Sequence, residues 1–160
     1  MATTQSAFAG TVFKDLGNLG DPDNNWHFSL GLSDDGSVIT GTSRRDPLTQ
    51  EAFRWTAELG MEGLGFLPGG GSFSVGWAIS GDGSTIVGRS DTVSGEEAFY
   101  WTKTDGMQGL GHLSGGGNFS EANGVSFDGS VIVGSSDTAS GEEAFYWTET
   151  DGMQGLGNQS

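Results

Sequence analysis

The sequence contains no cysteine. That excludes a disulfide framework, a thiolate nucleophile and any sulfur-based metal site, and it leaves the compartment open. Basic residues are scarce: Lys plus Arg number 6 against 21 Asp plus Glu, for a formal charge of −15. A surface of that sign repels phosphate backbones and anionic lipid, which argues against nucleic-acid and membrane-surface partners. Proline occurs 3 times, too seldom for a collagen-like or linker chain. No apolar run approaches the roughly 18 residues of a membrane span, so no membrane insertion is expected. Met1-Ala2-Thr3-Thr4-Gln5-Ser6 has neither the basic nor the apolar stretch of a signal peptide. No segment sustains a period of about 3.6, so little helix is expected. What abounds is glycine, 30 of 160 positions, together with 11% aromatic residues, a content that argues against disorder.

Self-similarity decides the organisation. Asp35-Gly36-Ser37 recurs as Asp82-Gly83-Ser84 and Asp128-Gly129-Ser130. Glu51-Ala52-Phe53-Arg54-Trp55-Thr56 recurs as Glu97-Ala98-Phe99-Tyr100-Trp101-Thr102 and Glu143-Ala144-Phe145-Tyr146-Trp147-Thr148, at steps of 46. The blocks 97–111 and 143–157 differ at one position, Lys103 against Glu149. The chain divides into a partial repeat, 1–24, and three near-complete units, 25–71, 72–117 and 118–160, which together form one repeat domain.

Each unit reads as four short strands. In the second, Val75–Ser80 leads through Gly81-Asp82-Gly83-Ser84, a hairpin turn in which Asp-Gly is expected to supply positive φ angles. Thr85–Ser90 is β-branched, Glu97–Thr102 alternates Phe99 and Trp101 against Ala98 and Tyr100, and Met107–Gly111 is a short fourth strand. Four strands in about 46 residues is the spacing of a β-propeller blade. The predicted fold is therefore all-β, with propeller-like blades. A β-solenoid is the alternative, although its rungs are shorter and lack paired Asp-Gly hairpins. The predicted inter-blade core comprises Leu32, Ile79 and Val125; Ile39, Ile86 and Ile132; Phe53, Phe99 and Phe145; and Trp55, Trp101 and Trp147. Propellers close with about four blades or more, so three units plus a fragment leave open a longer array, a ring of several chains or a fibre.

The string Ala-Phe-x-Trp-Thr, then Gly-Met-x-x-Leu-Gly-x-Leu, Gly-Gly-x-Ser and Ala-Ile-Ser-x-Asp-Gly-x-x-Val-Gly-x-Ser occupies residues 52–56, 60–67, 70–74 and 78–90. It resembles the bacterial HAF repeat family of probable extracellular repeats, and the likeness runs from about Ala7 onward. The eponymous His before Ala-Phe is replaced here by Glu51, Glu97 and Glu143. The resemblance implies an exported or cell-surface bacterial repeat protein of propeller-like fold, and it implies no activity.

The chemistry-bearing residues are few. His27 and His112 stand at non-equivalent repeat positions and read as surface or loop residues, and no nucleophile-elbow, zincin or dinucleotide-binding string occurs. Glu96-Glu97 and Glu142-Glu143 point to opposite faces of a strand, so neither pair makes an acid–base site. No catalytic residue, no metal ligand and no cofactor is expected, and the chain reads as a non-enzyme. Asp21-Pro22-Asp23-Asn24-Asn25 and the Asp-Gly turns offer oxygen ligands for Ca²⁺, a minor alternative because each loop supplies too few. Repeated aromatics suggest saccharide stacking at Trp77, Tyr100 and Tyr146, with Glu97 and Glu143 as acceptors; Arg54 stands at the tyrosine position in the first unit. The leading expectation is an extracellular structural, assembly or adhesion module, a homo-oligomer through blade edges that builds a ring or fibre. A multivalent carbohydrate-binding propeller is the alternative, with glycans or cell-surface polymers as partners.

Overall fold

A computed structural model describes residues 15–20 and 26–157. Among them there is no helix, and the chain forms β1 His27–Leu32, β2 Val38–Asp46, β3 Thr49–Thr56, β4 Gly60–Gly63, β5 Ser74–Ile79, β6 Thr85–Asp91, β7 Glu96–Thr102, β8 Gly106–Gly111, β9 Ser120–Val125, β10 Ile132–Thr138, β11 Gly141–Thr148 and β12 Gly152–Gly155. They make three separate four-stranded meanders, β1–β4, β5–β8 and β9–β12, each antiparallel throughout. The fold is all-β and propeller-like: each sheet is a blade, and the first strand β5 of the middle blade adjoins both β1 and β9. Antiparallel meanders replace the stacked parallel rungs that a solenoid would need.

Alternation along each strand serves two neighbours at once. Phe99 on β7 is fully buried with Ile79 and Ile86 against Val38, Ala52, Leu64 and Leu67 of the first blade, with Trp101 and Met107 at the edge. The opposite face of the same blade packs Val87, Ala98 and Leu110 on Ala122, Ile132 and Phe145 of the third. The middle blade is thus apolar on both faces, and the second face escapes a reading that tracks only the large repeated residues. Five expected core members differ. Leu32 is 59% exposed, because its counterpart Ile79 is covered by the blade before it and β1 has no complete blade before it among the described residues. Ile39 is half-buried, as are Trp101, Trp147 and Val125 at the cluster margins.

The Asp-Gly turns also differ from expectation. Only the glycine has positive φ, 73° at Gly83, and among the described residues no non-glycine residue does. The N–H of Gly83 donates to the Ser80 carbonyl at 2.9 Å, closing a four-residue loop that ends on the left-handed glycine. Asp82 instead uses its carboxylate, which accepts from the Ser80 hydroxyl (2.6 Å), the Ser84 N–H (2.9 Å) and the Ser84 hydroxyl (2.7 Å).

Each first strand carries a one-residue bulge opposite the second strand, at Leu30, Trp77 and Asn123. There the backbones approach so closely that a Cβ on Gly88 would collide with the Val75 carbonyl, and Gly41 and Gly134 stand in the same position. Blades are joined by serine hydroxyls as well as by apolar contact. Ser74 Oγ accepts from Ala52 N–H at 2.8 Å and donates to the Gly65 carbonyl at 2.8 Å; Ser120 repeats both bonds with Ala98 and Gly111 at 2.9 and 2.7 Å. Gln50 pairs with Phe73, and Glu96 with Phe119, in short parallel bridges across the same junctions.

Candidate functional site

A cleft of about 690 Å³ lies between the second and third blades. The end of β7, the β7–β8 turn, the β9–β10 turn and the β11–β12 turn bring its walls together. Tyr100 and Trp147 form its aromatic element, with ring centroids 5.4 Å apart and planes tilted by 34°. Asp105, Glu149 and Asp151 supply carboxylates, and Thr85 and Ser130 supply hydroxyls. Asp105 is oriented by the Thr102 hydroxyl, which donates to it at 2.8 Å, and Asp151 by Thr148 at 3.0 Å. Burial pushes the Tyr100 hydroxyl above its ordinary pKa of 10.0, and the Asp105 and Glu149 charges add to that shift.

The five residues expected at a binding site do not share one. Tyr100 lines this cleft. Tyr146 occupies the matching place on the third blade, opposite Val133. Trp77, lifted out of the ladder by its bulge, lines a separate groove with Trp26, Phe28 and Phe73, where its Nε1 is buried without a hydrogen-bond partner. Glu97 and Glu143 act on their own backbone: Glu97 Oε1 accepts from Gly111 N–H at 2.8 Å and Glu143 Oε1 from Gly157 N–H at 2.8 Å, as Glu51 does from Gly65 at 2.9 Å. A Cβ on Gly63, Gly109 or Gly155 would fill the space that each carboxylate takes. Glu97 and Glu143 also border two shallow, repeat-related depressions of about 420 and 400 Å³.

Sequence reasoning missed Trp147 as a cleft residue, treating it as core. The one signal available was the lone Lys103/Glu149 difference, which falls on this cleft. Arg89 was also missed. Its Nε lies 3.1 Å from Glu96 Oε2, its Nη1 donates to Glu121 of the third blade at 3.2 Å, and its guanidinium lies 5.4 Å from the centroids of both Phe73 and Phe119. One cation therefore ties two acidic strands across a junction.

His112 follows β8 and places Nε2 3.3 Å from the Glu96 carbonyl, whereas His27 lies on β1 rather than in a loop, half-buried, with an unpartnered buried Nδ1. The two histidines share no site. Among the described residues no three His, Asp or Glu side chains converge as a metal-binding group, and Asp21–Asn25 lies outside them.

Three adjoining four-stranded antiparallel meanders give the chain a propeller-like all-β fold. Two solved structures show the likeness. TolB from Acinetobacter baumannii superposes with a TM-score of 0.61 at 16% identity, covering 85% of this chain and 33% of its own. A protein assigned as TolB from Agrobacterium tumefaciens gives 0.57 at 16% identity, over 84% and 50%. The chain thus spans a third to a half of the length of those proteins, and at such identity the likeness concerns the fold. No family model and no curated protein matches the sequence.

Proposed function

We propose that the chain is a non-enzymatic assembly module of the cell exterior, and that copies join through the outer face of the third blade. The observation that carries the proposal is a comparison of repeat-equivalent positions. Val87, Leu110 and Thr85 are 0%, 8% and 6% exposed in the second blade, where the third covers them; Val133, Leu156 and Val131 in the third are 44%, 58% and 38% exposed. The two faces carry nearly the same sequence, so the second–third junction is a template for what fits the open one. In that template the covering face is Val125, Ile132, Phe145, Trp147 and Met153, and a face of that kind fits the open one. The occupant we assign is a blade of another copy, joined head to tail.

Two observations support a binding rather than a catalytic role. The depressions at Glu97 and Glu143 are copies of one another, whereas a catalytic site gathers unlike groups once. Their carboxylates are held by backbone N–H groups. The placement outside the cytoplasm rests on the HAF-repeat resemblance. Light scattering coupled to gel filtration tests the assembly. The expected result is a species larger than the 16.6 kDa chain, shifting to monomer in Val133→Asp. A monomeric parent protein over the whole accessible concentration range overturns it.

A further inference from the structure

The two inter-blade junctions are copies of one scaffold that have diverged in charge. Between the first and second blades, Arg54, Lys103 and Glu62 surround Trp101 around a space of about 110 Å³, with Arg54 Nη1 3.9 Å from Glu62 Oε2. Between the second and third, Tyr100 replaces Arg54, Glu149 replaces Lys103 and Trp147 replaces Trp101, and the space opens to about 690 Å³. Two of the 6 Lys and Arg residues thus sit at the closed junction, and among the described residues the open one is lined by none. Its own charges are all negative: Asp105, Glu149 and Asp151.

The volume is that of a small-ligand cleft. The Tyr100–Trp147 pair offers a broad, tilted π-surface 5.4 Å between centroids, suited to the C–H face of a sugar ring and to a nearby cation. Carboxylates accept the strongest hydrogen bonds from hydroxyl and ammonium donors. Thr102 and Thr148 fix the two aspartates at 2.8 and 3.0 Å, so these acceptors are held before a ligand arrives. Three carboxylates without a facing cation repel uronic or sulfated sugars and attract an amine.

The geometry points to a saccharide site at the second–third junction, selective for amine-bearing sugars, with Tyr100 and Trp147 as the stacking surface and Asp105, Glu149 and Asp151 as acceptors. Val131 borders both this cleft and the open face of the third blade, whereas Val133 and Tyr146 do not line the cleft, so variants at those two positions separate the site from assembly.

Isothermal titration in about 0.15 M salt, where surface attraction beyond roughly 8 Å is screened, tests it with three probes: a glucosamine tetramer, its N-acetylated counterpart and a galacturonic acid tetramer. The expected result is that the glucosamine tetramer binds at least about tenfold more tightly than the acetylated one, and that the galacturonate gives no signal. Tyr100→Ala removes binding, Glu149→Lys weakens it about tenfold or more, and Tyr146→Ala leaves it unchanged. Glu149 is exposed, so Glu149→Lys remains informative should Tyr100→Ala fail to fold. No binding by the glucosamine tetramer overturns the assignment. So does equal affinity for the two glucosamine forms, or full binding retained in a folded Tyr100→Ala, which would mean attraction to the acidic surface alone.

Discussion

Glu97 holds the exit of its blade in place. Its half-buried carboxylate accepts from the N–H of Gly111, a glycine at φ 80° where the chain leaves β8. Removing a charged acceptor leaves that N–H unpaired, so Glu97→Ala should cost about 1–3 kcal/mol, and Glu97→Gln less because an amide oxygen can still accept. Urea denaturation of the two variants checks this, and equal losses would show that the carboxylate acts by packing. The turn aspartates give a pH signature. The Ser37 N–H, with the Ser33 and Ser37 hydroxyls, lowers Asp35 from 3.8 to about 2, and the Ser130 and Ser126 hydroxyls, with the Ser130 N–H, bring Asp128 to the same value. A folded pKa below the unfolded one contributes stability that is fully present above the unfolded value and lost as pH falls through the folded one. Stability should therefore decline between about pH 4 and pH 2, in line with the shift from 3.8 to about 2, and less steeply in Asp35→Asn with Asp128→Asn. Thermal melts across that window, compared between the two proteins, are the check.

At the scale of the strand, much was legible. The reading Glu97–Thr102 became β7 Glu96–Thr102, and Thr85–Ser90 became β6 Thr85–Asp91, because β-branched and aromatic residues alternate between glycine-rich turns. Phe53, Phe99 and Phe145 stood out as core, and all three are fully buried. Phe99→Ala should cost about 3–5 kcal/mol, read from the same urea transitions. What was illegible depends on the neighbouring blade. Ala98 and Val87 look unremarkable in sequence, and the third blade alone makes them core. The cleft was hidden for the same reason: Tyr100 was visible as a repeated aromatic, while Trp147 on β11 and Glu149 and Asp151 in the turn after it reach the cleft from 47 or more residues away. The bulge was hidden too, since one extra residue leaves no mark on a short alternating run. Gly88→Ala, which drives a methyl group into the Val75 carbonyl, should abolish the cooperative thermal transition seen by circular dichroism.

For the whole molecule, the charge of −15 opposes the joining of copies proposed at the exposed third-blade face. Added salt screens the first and leaves apolar contact intact. Assembly should therefore grow between low and about 0.5 M sodium chloride. Light scattering reads the change, and dissociation by salt would mean that ion pairs hold the copies together.

The parallel bridges at Gln50–Phe73 and Glu96–Phe119 have a mechanical consequence. Each clasps the start of one blade to the sheet before it, and the apolar clusters likewise join only neighbours. A chain stretched by its two ends should come apart as a series of detachments, each freeing one 46-residue unit. At roughly 3.3–3.6 Å per extended residue, each rip in a force–extension trace should lengthen the chain by about 150–165 Å, less the span the folded blade already covered.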